Sequence, residues 1–214
     1  MGAVVRVASG ARAVGQWLAE GDRLLDEHHL VVWSRNMAVR ERYGLEVTKH
    51  FRHMPDTQTL VICGAVAHDL DGVCRQLEKC LHDGPTRRIK RSIGEPGGLV
   101  DRLRERPSVP NVPAVKHRVY IWRDADALLR QDEKLFAELV DALMGIAAEA
   151  EYASEDLLLL HRAVFIGGPK LGEYAADKAG AFKKWLPEKG KAVTPLWQVI
   201  SGVEKPPVAV MAIG

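Results

Sequence analysis

Three cysteines in 214 residues are few, and the number is odd. Cys63, Cys74 and Cys80 form no CxxC pair, which excludes a disulfide framework and a zinc knuckle. Cys63 stands in an apolar run, and Cys74 and Cys80 fall in a predicted helix, where a thiol serves as a small hydrophobe. That usage fits a reducing compartment, and a cytoplasmic protein is expected. No apolar run approaches the roughly 18 residues of a membrane helix, so no membrane span is expected. The opening AVVRV is too short for the apolar part of a signal peptide, and Arg6 and Arg12 interrupt it. The sequence also lacks GxxxxGK[ST], GxGxxG and GxSxG, the loops that wrap phosphates, hold dinucleotides or expose a catalytic serine. Internal repeats and low-complexity tracts are absent.

What is present is an ordinary globular composition, 47% hydrophobic and 27% charged, long enough to bury a core without staples. Val14, Trp17, Leu18, Leu24 and Leu25 recur near helical spacing and predict an amphipathic helix over 11–26. HHLVVWS (28–34) reads as a short strand, and 36–51 as a polar, arginine-rich stretch of weak periodicity. Met54-Pro55-Asp56 marks a soft boundary. TLVIC (59–63) is a continuous apolar strand, and Asp69 caps a helix with Leu70, Val73, Cys74, Leu77, Cys80 and Leu81 on one stripe. RPSVPNVP (106–113) holds three prolines and is an exposed loop. RVYIW (118–122) is the next strand. A helix follows from Asp132 to about Ala150, and RAVFIG lies in a third buried strand. A further helix is expected over 171–186, and Val208 to Ile213 as an edge strand.

Strands that are apolar throughout and alternate with helices belong to a parallel sheet covered by helices. We therefore expect an α/β fold with a mostly parallel buried sheet. The expected organisation is an N-terminal extension or extra βα unit (1–55), a core domain (56–186) and a C-terminal loop, short helix and edge strand (187–214).

Net charge is only +2, but a basic middle faces an acidic later segment. Arg87, Arg88, Lys90 and Arg91 put four cations in five residues, the candidate anion or nucleic-acid contact. They carry no aromatic platform for stacking, and a solvated basic loop accounts for them as well. Arg123-Asp124-Ala125-Asp126 follows a buried strand, where phosphate-handling folds hold a metal-facing acid; a helix-entry loop with solvated carboxylates is the plainer account. Cys63, His68 and Asp69 lie at a strand exit without a nucleophile turn, and His50-x-x-His53 lacks a third ligand. GGPKLG (167–172) follows a strand and opens a helix, but Pro169 removes an amide that a phosphate cradle needs. No catalytic residue, metal site or cofactor is assigned.

Over Thr59 to Gly168 the order strand, helix, short helix, strand, helix, strand resembles the core of barstar, a family of intracellular ribonuclease inhibitors. TLVICG with its following helix, YIWRDAD, and FAELVDALMGIAAEAE leading into RAVFIG carry the resemblance. It implies a small α/β fold and a protein-binding role. The segment matching the family's acidic inhibitory surface is IGEPGGLVDRLRER (93–106). There Ile93-Gly94 replaces an aromatic-Gly turn, and Asp101 stands among Arg102, Arg104 and Arg106. A basic surface cannot imitate phosphates.

The leading expectation is a non-catalytic interaction module with a protein partner. Its contact surface would be Asp101, Arg102, Arg104, Arg123, Asp124 and Asp126. The alternatives are a degenerate P-loop-like domain in a nucleotide or nucleic-acid complex, and a hydrolase using Cys63 or Asp124.

Overall fold

A computed structural model describes residues 4–6, 13–27, 29–67, 69–81, 115–150, 160–177, 180–182 and 208–213. Its elements run β1 (Val4–Arg6), α1 (Ala13–Glu27), β2 (His29–Trp33), α2 (Met37–Arg52), β3 (Thr57–Cys63) and α3 (Leu70–Leu81). They continue with β4 (His117–Arg123), α4 (Ala125–Gln131), α5 (Glu133–Ala150), β5 (Leu160–Gly167), α6 (Pro169–Ala176) and β6 (Val208–Ala212). The strands form one six-stranded sheet in the order β1-β6-β2-β5-β4-β3, and every neighbouring pair is parallel.

The apolar runs explain this architecture. Along β5, Ala163 and Phe165 point to one face while Val164 and Ile166 point to the other, and all four are buried. A strand hidden on both faces shows no polar alternation. One face packs Leu60, Ile62, Tyr120, Trp122 and Phe165 against α3, α4, α5 and α6; the other packs Leu30, Val32, Ile121, Val164 and Ile166 against α1 and α2. The result is three layers. Each fully buried Leu or Ile contributes about 1.5–3 kcal/mol of transfer free energy. Phe136 centres an aromatic cluster, with ring centroids 5.4 Å from Trp122, 5.5 Å from Tyr174 and 6.2 Å from Phe182.

Right-handed crossovers dictate which helix lies on which face. The chain moves one way along the sheet from β1 to β2 to β3, with α1 and α2 on the same face. At β3 it reverses and returns through β4, β5 and β6, with α3, α4, α5 and α6 on the opposite face.

Several elements differ from the sequence reading. The arginine-rich stretch is a 16-residue helix, α2, capped by Asn36, whose Oδ1 accepts from the Ala38 amide at 3.0 Å. Its buried stripe is Tyr43, Gly44, Val47, Thr48 and Phe51, and a glycine and a threonine in that stripe mask the periodicity. Gly44 is small because the Arg123 side chain passes 3.2 Å from where a Cβ would stand. A short helix, α4, precedes the one expected from Asp132, and Asp132 caps α5 through the Leu135 amide at 2.9 Å. Helix α6 ends at Ala176, ten residues before the expected end at 186. Strand β6 is not at the edge: β1 flanks it on one side and β2 on the other. Residues before Asp56 supply β2 to the middle of the sheet, and Met54–Asp56 is the turn into β3, closed by the Thr57 amide on Met54 O at 3.2 Å.

Candidate functional site at the carboxyl edge of the sheet

In an open parallel sheet, ligands bind outside the carboxyl ends of two adjacent strands whose outgoing helices pass to opposite faces. Here those strands are β2 and β5: α2 leaves β2 toward one face and α6 leaves β5 toward the other. Trp33 is paired with Gly167, and the Ser34 amide donates to Gly167 O at 3.2 Å. The sequence therefore brings Ser34, Arg40, Gly167 and Gly168 to one place.

The connection from β2 to α2 is only 34–36, and it is tied to itself. The Asn36 amide donates to Ser34 Oγ at 3.1 Å, and Arg40 Nη1 donates to Ser34 O at 2.8 Å. Across the crevice, the Asp126 carboxylate lies against the Gly167–Gly168 backbone. A Cβ on Gly167 would stand 3.0 Å from Asp126 Oδ1, and one on Gly168 would stand 2.9 Å from Asp126 Oδ2 and 3.5 Å from Arg40 Nη1. The two glycines are thus packing requirements. Asp126 is 3% exposed and pairs with Arg130, one helical turn on. Lys170 reaches Leu129 O at 3.5 Å, beside the carboxyl end of α4, where a cation is favoured. Trp33 lies on α6, its ring 2.6 Å from where a Gly172 Cβ would be.

Asp124 opens α4 in the left-handed region, at φ 47 and ψ 42, and its side chain makes no capping bond. Its carbonyl fills the space over Gly64, where a Cβ would sit 2.0 Å from Asp124 O. The Gly64 amide in turn donates to Arg123 O at 2.7 Å. Cys63 is held by its backbone: its amide donates to Gln76 Oε1 at 2.6 Å, and Gln76 Nε2 donates to Cys63 O at 3.2 Å. Among the described residues, no three His, Cys, Asp or Glu side chains gather as a metal site.

The opposite, amino end of the sheet carries a buried polar layer. Tyr120 Oη and His161 Nδ1 are 2.7 Å apart and their rings stack, with Arg118 and Arg162 near by. Arg118 Nε donates to Gln58 Oε1 at 2.8 Å, and Arg162 Nη1 donates to His161 O at 2.6 Å. Burial, reinforced by the two guanidinium charges, lowers the His161 pKa to about 3. Burial also raises the Tyr120 phenol above its ordinary value, against the pull of Arg118.

Of the residues that the sequence singles out, Arg123 and Asp124 are half-buried at the strand exit, while Asp126 is inside and partnered within the chain. That burial sets Asp126 apart from the expected contact surface: its carboxylate pairs with Arg130 within the chain. Asp101, Arg102, Arg104, Arg87, Arg88, Lys90 and Arg91 lie outside the described residues. Ser34 and Arg40 carry no motif in the sequence; the signal for their partner is the Gly-Gly pair directly after an apolar strand. No protein-family model, curated protein or solved structure matches the chain. No helix among the described residues is long and apolar enough to cross a membrane.

Proposed function

We propose that the chain is a non-hydrolytic interaction module with a P-loop-like sheet whose nucleotide crevice is filled by its own side chains. Counted from β2, the strand order is 5-1-4-3-2. One strand separates the position of a phosphate-loop strand (β2) from that of the acid-bearing strand (β4), an order that supports a P-loop-like architecture. The observation that carries the rest is the three-residue connection 34–36, facing Asp126 across Gly167 and Gly168. A phosphate loop needs several successive amides and a lysine to wrap the phosphates. Three residues closed on Ser34 cannot supply that wrap, and the Asp126 carboxylate and Arg40 guanidinium take up the space beside Gly168. The module then acts by binding.

Within 59–168, strands β3, β4 and β5 lie side by side. Neighbouring parallel strands joined by right-handed crossovers occur in many α/β sheets, so the barstar resemblance adds no role beyond binding.

A melting-temperature series with Mg²⁺ and ATP or GTP tests the proposal. A ligand that binds only the folded state at a hundred times its Kd adds about 2.7 kcal/mol of stability, so a bound nucleotide cannot escape notice. We expect no shift. A rise that grows with nucleotide concentration would refute the proposal.

A further inference from the structure

We infer that the solvent-facing crest of α2 is a contact surface for a nucleic-acid backbone. The buried stripe of this helix fixes which side faces water: Tyr43, Val47 and Phe51 pack on the sheet, so the crest opposite carries Arg42, Leu45, Lys49 and Arg52. Arg35 stands just ahead of the N-cap. All four cations, Arg35, Arg42, Lys49 and Arg52, are exposed, and Leu45 between them is 57% exposed. Glu41 and Glu46 lie on the two flanks of the crest. Among the described residues none of the four cations has an acidic partner.

A solvated helix face explains only part of this. Lys49 and Arg52 are in the last turn, where the helix dipole favours cations. Arg35 precedes the N-cap, where the dipole opposes a cation, and the first turn holds no acid to offset it. Negative charge supplied from outside relieves that imbalance. Arg42 to Arg52 spans about 15 Å of helix, along which Arg42, Lys49 and Arg52 can each meet a phosphate of one strand, with Arg35 ahead of the helix as a fourth contact. The crest has no aromatic anchor of the kind that centres a protein interface, so evenly spaced phosphates fit it better than an acidic protein. The contact is sequence-independent, because point charges on phosphates read no bases.

This inference rests on reading the chain as a binding module, and its test is separate from that reading's. Fluorescence anisotropy of the full chain with a short labelled DNA duplex, a single strand and an RNA hairpin, over about 50 to 200 mM salt, measures the contact. Four phosphate contacts give a log–log salt slope of about −3 to −4 on a duplex. The double variant Arg42→Glu with Lys49→Glu is expected to weaken binding at least about tenfold and flatten the slope, with its melting temperature nearly unchanged because both side chains are exposed. Setting Arg87, Arg88, Lys90 and Arg91 to Ala is expected to leave the dependence on α2 in place. The inference is overturned by absent binding at low salt, or by an α2 variant that binds like wild type. Loss through the 87–91 variant alone overturns it too, as does poly-glutamate competing as well as DNA. Nucleotide hydrolysis alongside DNA binding would sink the proposed function and leave this surface standing.

Discussion

Acidification is expected to weaken the fold through His161. The imidazole is 2% exposed, bonded to Tyr120 Oη and close to two guanidiniums, and these surroundings hold its pKa near 3 against 6.5 when unfolded. Above about 6.5 both states are neutral at this position and the full stability is present. Between 6.5 and about 3 the unfolded chain takes the proton and the folded chain does not, so stability falls as pH falls. The slope approaches about 1.4 kcal/mol per pH unit, and from about pH 7.5 to about pH 5 the loss amounts to about 2 kcal/mol. Urea unfolding at the two pH values, for the wild type and for His161→Gln, measures it. Glutamine offers Tyr120 an acceptor and cannot titrate, so the variant is expected to lose about 2 kcal/mol less on acidification than the wild type. Parallel pH dependence in the two proteins, or an imidazole titrating near 6.5 by NMR, would refute the reasoning.

Three further outcomes follow from backbone geometry at the carboxyl edge. Gly64→Ala forces a Cβ within 2.0 Å of Asp124 O and strains the Gly64–Arg123 bond; it is expected to cost about 1–3 kcal/mol, read as a drop in melting temperature. A wild-type melt would mean that the β3 and β4 exits are not in contact. Asp124→Gly is expected to be more stable than Asp124→Ala by about 1 kcal/mol, because the left-handed backbone suits glycine and the carboxylate caps nothing. The reverse order in denaturant unfolding would mean that residue 124 does not hold the left-handed backbone. Asn36→Ala removes the cap of α2 and is expected to cost about 1 kcal/mol; Asn36→Asp, which can cap, should recover most of it by the same assay.

The strands were legible where the sheet is doubly covered. Val119, Ile121, Val164 and Ile166 on one face, with Tyr120, Trp122, Ala163 and Phe165 on the other, leave no polar gap in either run. Helix α2 was hidden because Gly44 and Thr48 sit in its buried stripe, Gly44 to clear Arg123 and Thr48 bonded back to Gly44 O at 2.6 Å. Helix α4 spans only seven residues, too short for periodicity to declare it. Strand order was illegible in principle, since the pairing of β2 with β5 joins residues more than a hundred positions apart. The same holds for Asp126. Nothing local distinguishes a solvated carboxylate after a strand from a buried one, and its burial depends on Gly167 and Gly168 about forty residues later.

Equilibrium dialysis of labelled Mg·ATP against the full chain is the most direct measurement of whether the crevice between β2 and β5 is occupied by Ser34, Arg40 and Asp126. The account predicts equal nucleotide on both sides of the membrane, however concentrated the protein. Saturable retention of one nucleotide per chain, lost on substitution of Arg40, would contradict it.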